Sequence, residues 1–402
     1  MNAIFSKFFW LHMVLFCVGA GMYASSGFNP TASSPLFDGY LVGLLVFAFF
    51  QKNVQLRSFT AFGLTVLAFL ILYSIAQFLM YGLLAEKFLM YEFLRSWRFA
   101  LYLILFVLIG EYNYGWGGNW KLPELAATAM AMGLIFFATY TVLYLTGNPR
   151  PALYSENNYE VPSLFLLFGI AAFCGSYRRS GPLVLVLSGL AAFLSKSKSG
   201  VIEFVIFAMR GRMVQFKAQH LPFYLIVMFL SLLVFYSVFS ERMDGVALDK
   251  MDRSKFAIDF YHIMINSSWL EILFGHGIAA ALPFDTCYDF KFWAAKMSPS
   301  YEYCTAVIFH SFFMRLAYDA GVIGCLIFIL MWYKLLVRYY GRSLGLTLFL
   351  ICAACSLSVS GFSNSIVIWP LFVGLFFQKA IKDAINKQIE ERTSTQPPTQ
   401  PS

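Results

Sequence analysis

An all-α polytopic membrane protein, with about twelve transmembrane helices and one large outer loop, is the fold class that the sequence predicts. Two observations predict it. Of the 402 residues, 59% are hydrophobic and only 12% are charged, which is roughly half the charged fraction of an average soluble domain. The apolar residues form runs of about the length that crosses a hydrocarbon core, and these runs recur from Phe8 to Phe377 between short polar breaks. A soluble enzyme cannot be built from this composition.

The apolar runs give the predicted spans in order. They cover residues 6–24, 36–50, 58–81, 93–110, 122–146, 161–176, 182–195, 199–210, 221–240, 309–333, 344–360 and 364–379. The first run, behind Lys7, is interpreted as a retained helix because no clear small-residue cleavage site follows it. The seventh and eighth spans are short and are joined by Ser195–Gly200, so a helical hairpin that only just crosses the membrane is an alternative to two full spans.

The positive-inside rule gives the orientation. With a cytoplasmic N-terminus, alternation along the spans places most loop lysines and arginines on the inner side and leaves both termini cytoplasmic. The residues placed inside are Lys52, Arg57, Lys121, Arg178, Arg179, Arg210, Arg212, Lys217, Lys334, Arg338, Arg342, Lys379, Lys382 and Lys387. Topology therefore accounts for the net charge of +8. Nucleic-acid binding is not predicted, because these cations lie at helix ends and not on one water-facing surface.

Four regions follow from this topology. N-terminal transmembrane helices cover residues 1–240, a large outer loop covers 241–308, C-terminal transmembrane helices cover 309–380, and a cytoplasmic tail, disordered at its end, covers 381–402. The loop is rich in Asp, Lys, Pro, Tyr and Trp and contains amphipathic runs such as Phe256 to Leu273. It is long enough to form a small cap of its own.

Two pairs of cysteines have alternative roles. Cys287 and Cys304 share the outer loop, where they form a disulfide if that side is oxidising, and the sequence does not decide this. Cys352 and Cys355 form a CxxC inside an apolar helix with no neighbouring His or Asp, so a packing role is favoured over metal binding. No metal and no cofactor are predicted, because the sequence carries no P-loop, no HExxH and no paired-carboxylate motif.

Basic residues on the outer side are the best functional pointers in such a chain, because the positive-inside rule argues against them. They are Arg95, Arg98, Arg150, Lys196, Lys198, Arg242, Arg253 and Arg315. Arg95 and Arg98 are three apart and share one helix face, where snorkelling toward lipid head groups is the alternative to a site. Lys196 and Lys198 lie in Ser195–Gly200, at a helix junction whose outward backbone amides suit an anion, particularly phosphate.

His310 lies where the outer loop re-enters the membrane. A lone histidine at a helix start is commonly structural, but the cations that topology places around it favour a general base. Arg315 and Asp319 follow on the same helix, four residues apart, and are expected to pair. Gly275–Gly277 marks a tight turn in the middle of the loop, and His276 either only completes this turn or also contacts a substrate.

Three segments resemble the O-antigen ligase and Wzy-type polysaccharide polymerase superfamily of bacterial inner-membrane proteins, as does the topology of the chain. Leu194–Gly200 is similar to the Ser-Arg-Ser-Gly segment of the family, with Lys in place of Arg. Ile272–Ile278 is similar to its loop element with two glycines. His310-Ser311, followed by Gly321 and then Gly324, is similar to its signature after the loop.

The resemblance implies a metal-independent catalyst at the periplasmic face. It takes a glycan from an undecaprenyl-pyrophosphate carrier and joins it to the hydroxyl of an acceptor sugar. His310 is then the base for that hydroxyl. The basic residues that bind pyrophosphate in the family correspond to Lys196 or Lys198 and, in the loop, to Arg253.

A further likeness favours a polymerase. Arg150 and Glu156 resemble the Arg-x-x-x-Leu-Tyr-x-Glu loop of exopolysaccharide and colanic-acid-type polymerases, and Arg150 joins the pyrophosphate-binding set. The supporting residues are Arg95, Arg98, Glu156, Arg315 and His276. Expected partners are the lipid-linked glycan, membrane lipid, a chain-length regulator and a flippase. A ligase that transfers O-antigen to lipid A-core, and a transporter of lipid-linked glycans, are the alternatives.

Overall fold

The structure, a computed structural model, describes residues 6–26, 33–50, 59–84, 90–113, 121–147, 152–153, 159–173, 181–210, 229, 252–292, 294 and 303–394. Its helices are α1 (Lys7–Ser25), α2 (Ser34–Phe50), α3 (Ala61–Leu84), α4 (Met90–Asn113), α5 (Leu122–Leu145), α6 (Glu160–Phe173), α7 (Gly181–Leu194), α8 (Lys198–Arg210), α9 (Asp252–Asn266), α10 (Trp269–Phe274), α11 (Phe284–Asp289), α12 (Phe312–Tyr340), α13 (Arg342–Ser358), α14 (Ser365–Gly374) and α15 (Gln378–Ser394). Short 3-10 turns cover Ala306–Ile308, Gly361–Ser363 and Leu375–Phe377. No strand occurs in these ranges, which confirms the all-α prediction.

Six of the described segments are long and apolar enough to cross a hydrocarbon core. They are Lys7–Ser25, Ala61–Tyr81, Met90–Asn113, Leu122–Leu145, Phe312–Tyr340 and Ser365–Ala384. Four apolar helices are shorter: Ser34–Phe50, Glu160–Phe173, Leu183–Leu194 and Arg342–Ser358. These helices agree with an all-α membrane protein. The ninth predicted span, 221–240, lies outside the described residues apart from Phe229.

The helices pack as a bundle around α6 and α14. Every residue of α14 is buried, and it packs against α2, α4 and α6. Helix α13 contacts α6, α8 and α12, while α5 contacts α1, α6 and α7. The starts of α2 and α6 both meet the start of α14, through hydrogen bonds of Ser365 with Ser34 and of Ser163 with Ile366. The starts of α4, α8 and α12 lie at the same end. We call this the loop end, because the described residues between 252 and 308 lie there.

A buried carboxylate closes the opposite end of the bundle. Glu111 in α4 accepts hydrogen bonds from Arg338 Nε at 3.3 Å and Tyr339 Oη at 3.1 Å, both in α12. It also accepts from the backbone N–H of Thr60 at 3.0 Å and from its hydroxyl at 2.9 Å. A Cβ on Gly63 would stand 2.6 Å from the Glu111 carboxyl carbon. These contacts tie α3, α4 and α12 together.

The described residues between 252 and 308 form a cap around a small hydrophobic cluster, to which Tyr318 of α12 also contributes. Phe256, Leu282 and Phe290 are buried in it, and the Leu282 N–H donates to the Cys304 carbonyl at 2.9 Å. Cys287 and Cys304 form a disulfide. The structure thus settles the question that the sequence leaves open for this pair.

Helix α12 consists of two helical segments joined at Gly321, whose φ of 67° and ψ of −178° are not helical. The predicted span 309–333 corresponds to this helix, which the structure extends to Tyr340 and interrupts. The cap contacts the helix at this break. The His276 N–H donates to the Tyr318 carbonyl at 2.8 Å, and the Gly277 N–H donates to the Asp319 carbonyl at 3.0 Å. Two of the backbone acceptors that a broken helix exposes are therefore satisfied by the cap.

Two glycines make this approach possible. A Cβ on Gly275 would stand 2.4 Å from the Asp319 carbonyl oxygen, and a Cβ on Gly321 would stand 2.3 Å from that of Leu273. Both glycines also have positive φ, which side chains disfavour. The cap and α12 thus dock backbone to backbone.

At the C-terminus, α15 is helical to Ser394, so the first part of the predicted tail, 381–394, is an ordered helix. Disorder is predicted for Thr393–Ser402; Thr393 and Ser394 are instead helical, and residues 395–402 lie outside the described ranges.

Candidate functional site

Three arginines come together at the loop end. Arg95 and Arg98 lie near the start of α4, and Arg315 lies near the start of α12. Both α4 arginines are close enough to Arg315 for their charges to interact with it. Like charges held this near one another are costly in a low-dielectric setting. We call Arg95, Arg98 and Arg315 the arginine cluster.

Neutral acceptors hold the Arg315 side chain. Its Nε donates to the Phe309 carbonyl at 2.6 Å and its Nη2 donates to the Ser360 hydroxyl at 2.6 Å. Arg315 and Asp319, which the sequence spacing allows to pair, interact electrostatically, but no ion pair within 4.0 Å joins these two described residues. The guanidinium is directed to the start of the helix by its two acceptors. Asp319 is buried, and its Oδ1 has no hydrogen-bond partner.

Arg98 is held by α2. Its Nη2 lies 3.2 Å from Asp38 Oδ2, and the Tyr102 hydroxyl donates to Asp38 Oδ1 at 2.6 Å. This pairing within the bundle argues against snorkelling for Arg98. The Arg98 side chain is 30% exposed, so the pair is partly accessible, and accessible ion pairs are weak.

Arg95 connects the arginine cluster to the cap and to α6. Arg95 lies close enough to Glu92 and Tyr159 to interact electrostatically with both, and Tyr159 also lies close to Arg315. Buried Glu92 accepts from the Thr305 hydroxyl at 3.4 Å, a contact between α4 and the cap. The sequence does not predict a role for Tyr159 or Glu92. Their one signal is position, because Glu92 directly precedes the predicted span 93–110 and Tyr159 lies two residues before the predicted span 161–176.

His310 lies at the junction of the cap and α12. It is half-buried, and its ring meets Phe256 of the cap edge-on at 5.1 Å between centroids. The residues on either side are fixed, because the Phe309 carbonyl accepts from Arg315 and the Ser311 hydroxyl donates to the Ser356 carbonyl at 3.2 Å. His310 therefore directly follows, in the chain, the residue whose carbonyl orients Arg315.

The segment Ser195–Gly200, which contains Lys196 and Lys198, also lies at the loop end. Lys196 has a left-handed φ of 51°, and its Nζ stands 5.6 Å from the centroid of the Tyr144 ring. Lys198 is the first residue of α8. One of the expected outward amides is already used, because Ser197 Oγ accepts from the Gly200 N–H at 3.2 Å. A Cβ on Gly200 would stand 3.2 Å from Val161, which places the turn beside the start of α6.

The other predicted residues divide into two groups. His276 belongs to the turn Gly275–Gly277, which contacts α12. Its ring stacks on Tyr318 at 4.2 Å between centroids, and its Nε2 forms a hydrogen bond with the Ser267 hydroxyl at 3.1 Å. Arg150 and Glu156 lie outside the described residues, and the side chain of Arg253 does too, although its backbone is part of α9. No group of three or more His, Cys, Asp or Glu residues in the described ranges is arranged to hold a metal.

In comparison with known proteins, no family model matches the chain, and no curated protein matches it.

Proposed function

We propose that the chain is a polysaccharide polymerase, of the O-antigen, capsule or exopolysaccharide kind, that joins undecaprenyl-pyrophosphate-linked oligosaccharide repeats at the periplasmic face of the bacterial inner membrane. The observation that supports this most is the arginine cluster together with His310, which follows the residue whose carbonyl orients Arg315. It combines a means of holding a polyanion with a group that accepts a proton near neutral pH. The resemblance of three sequence segments to the polymerase and ligase superfamily supports the same chemistry.

The arginine cluster binds the pyrophosphate of the donor. Guanidinium groups match phosphate oxygens through paired N–H donors, and fixed positive charge stabilises the negative charge that develops on a leaving phosphate. Two nitrogens of Arg315 are engaged in holding it, which leaves Nη1 to bind the phosphate. Arg98 exchanges part of its contact with Asp38 for the ligand. This assignment gives Arg95, Arg98 and Arg315 the main role.

The remaining basic residues keep a role in substrate binding. The cations of Lys196 and Lys198 lie at the same end as the arginine cluster and extend the positive surface for phosphate or for the glycan next to it. Arg150 and Arg253, with Glu156, keep the roles that the resemblance implies. No step in this proposal uses a cofactor.

His310 acts as the general base. The acceptor hydroxyl oxygen attacks the anomeric carbon of the donor sugar while its proton moves to a ring nitrogen of His310. The bond between the anomeric carbon and the phosphate oxygen breaks, and the pyrophosphate leaves with both electrons, held by the guanidinium groups. A single displacement of this kind inverts the configuration at the anomeric carbon.

The proposed topology has about twelve spans, a periplasmic cap and both termini in the cytoplasm. Two observations support it. The Cys287–Cys304 disulfide lies in the cap, as expected for an oxidising compartment. Arg338 lies at the opposite end, paired with Glu111, where the positive-inside rule expects basic residues.

A transporter of lipid-linked glycans is the alternative from another class, and the break in α12 is the one observation in its favour. Transporters use broken helices to expose backbone groups to their cargo. Here the cap already occupies the carbonyls before Gly321. A ligase differs only in its acceptor, lipid A-core, which the arrangement does not distinguish.

The test compares His310→Ala with His262→Ala, an exposed histidine of the cap, in cells that depend on this chain. Surface polysaccharide is resolved by length, and the amount of each variant in the membrane is measured in parallel. We expect His310→Ala to reduce long polymer to single repeats and His262→Ala to leave it unchanged. Unchanged long polymer in His310→Ala would show that this residue is not the base.

A second comparison tests the arginine cluster. Arg315→Lys keeps the charge but loses the fork that the Phe309 carbonyl and Ser360 hold, so we expect it to lose long polymer. Arg342→Lys, at the opposite end, is the matched control. Polymer of normal length that is no longer attached to lipid A-core would instead indicate a ligase, and lipid-linked repeats retained on the cytoplasmic side would indicate a transporter.

A further inference from the structure

Helix α9 of the cap is apolar on two opposite sides. One side carries Phe256 and Phe260 into the cluster of the cap. The other carries Ile258, Tyr261 and Ile265, all exposed, with Tyr261 62% exposed. At 100° per residue these three lie within about 60° of one another and nearly opposite the cluster side. Packing of the cap therefore explains only one of the two apolar sides.

A polar strip runs directly beside the exposed apolar one. Lys255, His262 and Asn266 are all exposed and lie within about 40° of one another on the same helical projection. The outward half of α9 thus has an apolar strip and a polar strip side by side. This is the layout of a helix that lies along a boundary between apolar and aqueous phases.

Helix α10 continues the exposed apolar surface. Trp269, Leu270 and Phe274 are exposed, with Trp269 67% exposed. The helix is well capped, because Ser268 Oγ accepts from the Glu271 N–H at 3.3 Å and Glu271 Oε2 accepts from the Ser268 N–H at 2.7 Å. Large apolar side chains are therefore held outward on an ordered element.

The position of α10 along α12 gives its depth. Leu273 and Gly275, on either side of Phe274, touch Gly321. After Gly321, α12 is apolar as far as Tyr333, and Lys334 and Arg338 follow. Val322 and Leu326 are exposed on the apolar stretch. The exposed face of α10 is thus continuous with an exposed apolar surface of α12, at the level of the break at Gly321 and inside the apolar segment Phe312–Tyr340.

We infer that the exposed apolar face of α9 and α10, made by Ile258, Tyr261, Ile265, Trp269, Leu270 and Phe274, docks into the lipid leaflet at the loop end. Trp and Tyr favour the boundary between head groups and acyl chains, and the polar strip of α9 faces water there. The cap is held on the membrane surface by this face and on α12 by the Gly275–Gly321 contact. This inference does not rest on the glycosyl transfer proposed above.

The test uses the full-length protein in lipid nanodiscs, with an environment-sensitive fluorescent amino acid encoded at position 269, 265 or 255. Two quenchers are compared: a phospholipid brominated near the head-group end of its acyl chains, and iodide in the buffer. We expect a loss of emission with brominated lipid and none with iodide at 269 and 265. Position 255, on the polar strip of the same helix, is the matched control, with the reverse pattern.

Two results would overturn the inference. Quenching by iodide at all three positions would place the face in water. Quenching by neither agent at 269 and 265 would show that protein covers it, in which case a second copy of the chain is the occupant. Retention of the Cys287–Cys304 disulfide and a single peak on size exclusion establish that each labelled protein is folded, and position 265 serves if substitution at 269 disturbs α10.

Discussion

Replacing Gly321 with alanine tests the attachment of the cap to α12. The added Cβ would stand 2.3 Å from the Leu273 carbonyl oxygen and 2.5 Å from the Gly275 nitrogen, both backbone atoms that no side-chain rotation can move. The substitution also places a side chain at a φ of 67°. We expect the cap to separate from α12 at this point while the rest of the bundle stays folded.

The magnitude has two parts. At φ 67° and ψ −178° the backbone lies in a region essentially restricted to glycine, which costs an alanine about 1 to 3 kcal/mol. Separation also loses the two hydrogen bonds from His276 and Gly277, at about 1 kcal/mol each, so the total is about 3 to 5 kcal/mol. Gly147→Ala is the matched control, because Gly147 has a φ of 78° but nothing within 4 Å of its would-be Cβ. It is expected to lose only the backbone part, about 1 kcal/mol.

The assay is denaturant-induced unfolding of the purified protein in one detergent, combined with limited proteolysis of the cap. Gly321→Ala should be the less stable of the two variants and should be cleaved in the cap at a lower protease concentration. Equal stability of Gly321→Ala and Gly147→Ala would refute the reasoning, because it would mean that the backbone contact contributes nothing beyond the φ of the glycine.

Three further outcomes are expected. Glu111→Ala leaves buried donors without their acceptor and should destabilise the protein by about 3 to 5 kcal/mol, against about 1 kcal/mol for Glu124→Ala, which removes the capping box of α5, both measured by denaturant unfolding. Reducing the Cys287–Cys304 disulfide, which closes a sequence separation of 17, should cost about 3 kcal/mol, measured on Ser variants against the oxidised protein. The pKa of Glu271 is lowered because its carboxylate accepts hydrogen bonds from the backbone and hydroxyl of Ser268, the N-cap residue of α10. These hydrogen bonds are therefore complete above the ordinary glutamate pKa and are lost as pH falls through the lowered value. Hydrogen exchange in α10 should show this pH dependence in the unchanged protein, and the Glu271→Gln variant should not show it.

Apolar periodicity and length predict the helices well, but not how far they run or where they break. The predicted span 122–146 differs from α5, Leu122–Leu145, by one residue, because Pro at the start and the polar residues after it mark both ends. The interruption at Gly321 carries no such local signal. Glycine is common in apolar helices, and this one is non-helical because Gly275 docks on it from a distant part of the chain.

The candidate site was predictable where it depends on helix geometry and not where it depends on packing. Arg95 and Arg98 share a helix face by their spacing, and the structure places both near Arg315. The expected pair of Arg315 and Asp319 follows the same spacing rule, yet the acceptors of Arg315 are the Phe309 carbonyl and Ser360. Tertiary contacts to residues far along the chain decide this, and sequence spacing does not report them.

The way the cap is attached has a consequence for how such a protein diversifies. The hydrogen bonds from His276 and Gly277 to α12 are made by main-chain atoms, and the close approach needs only two glycines. Cap side chains that lie away from the bundle can therefore be exchanged without loosening this main-chain attachment. The surface of the cap can then vary while its position on α12 stays the same.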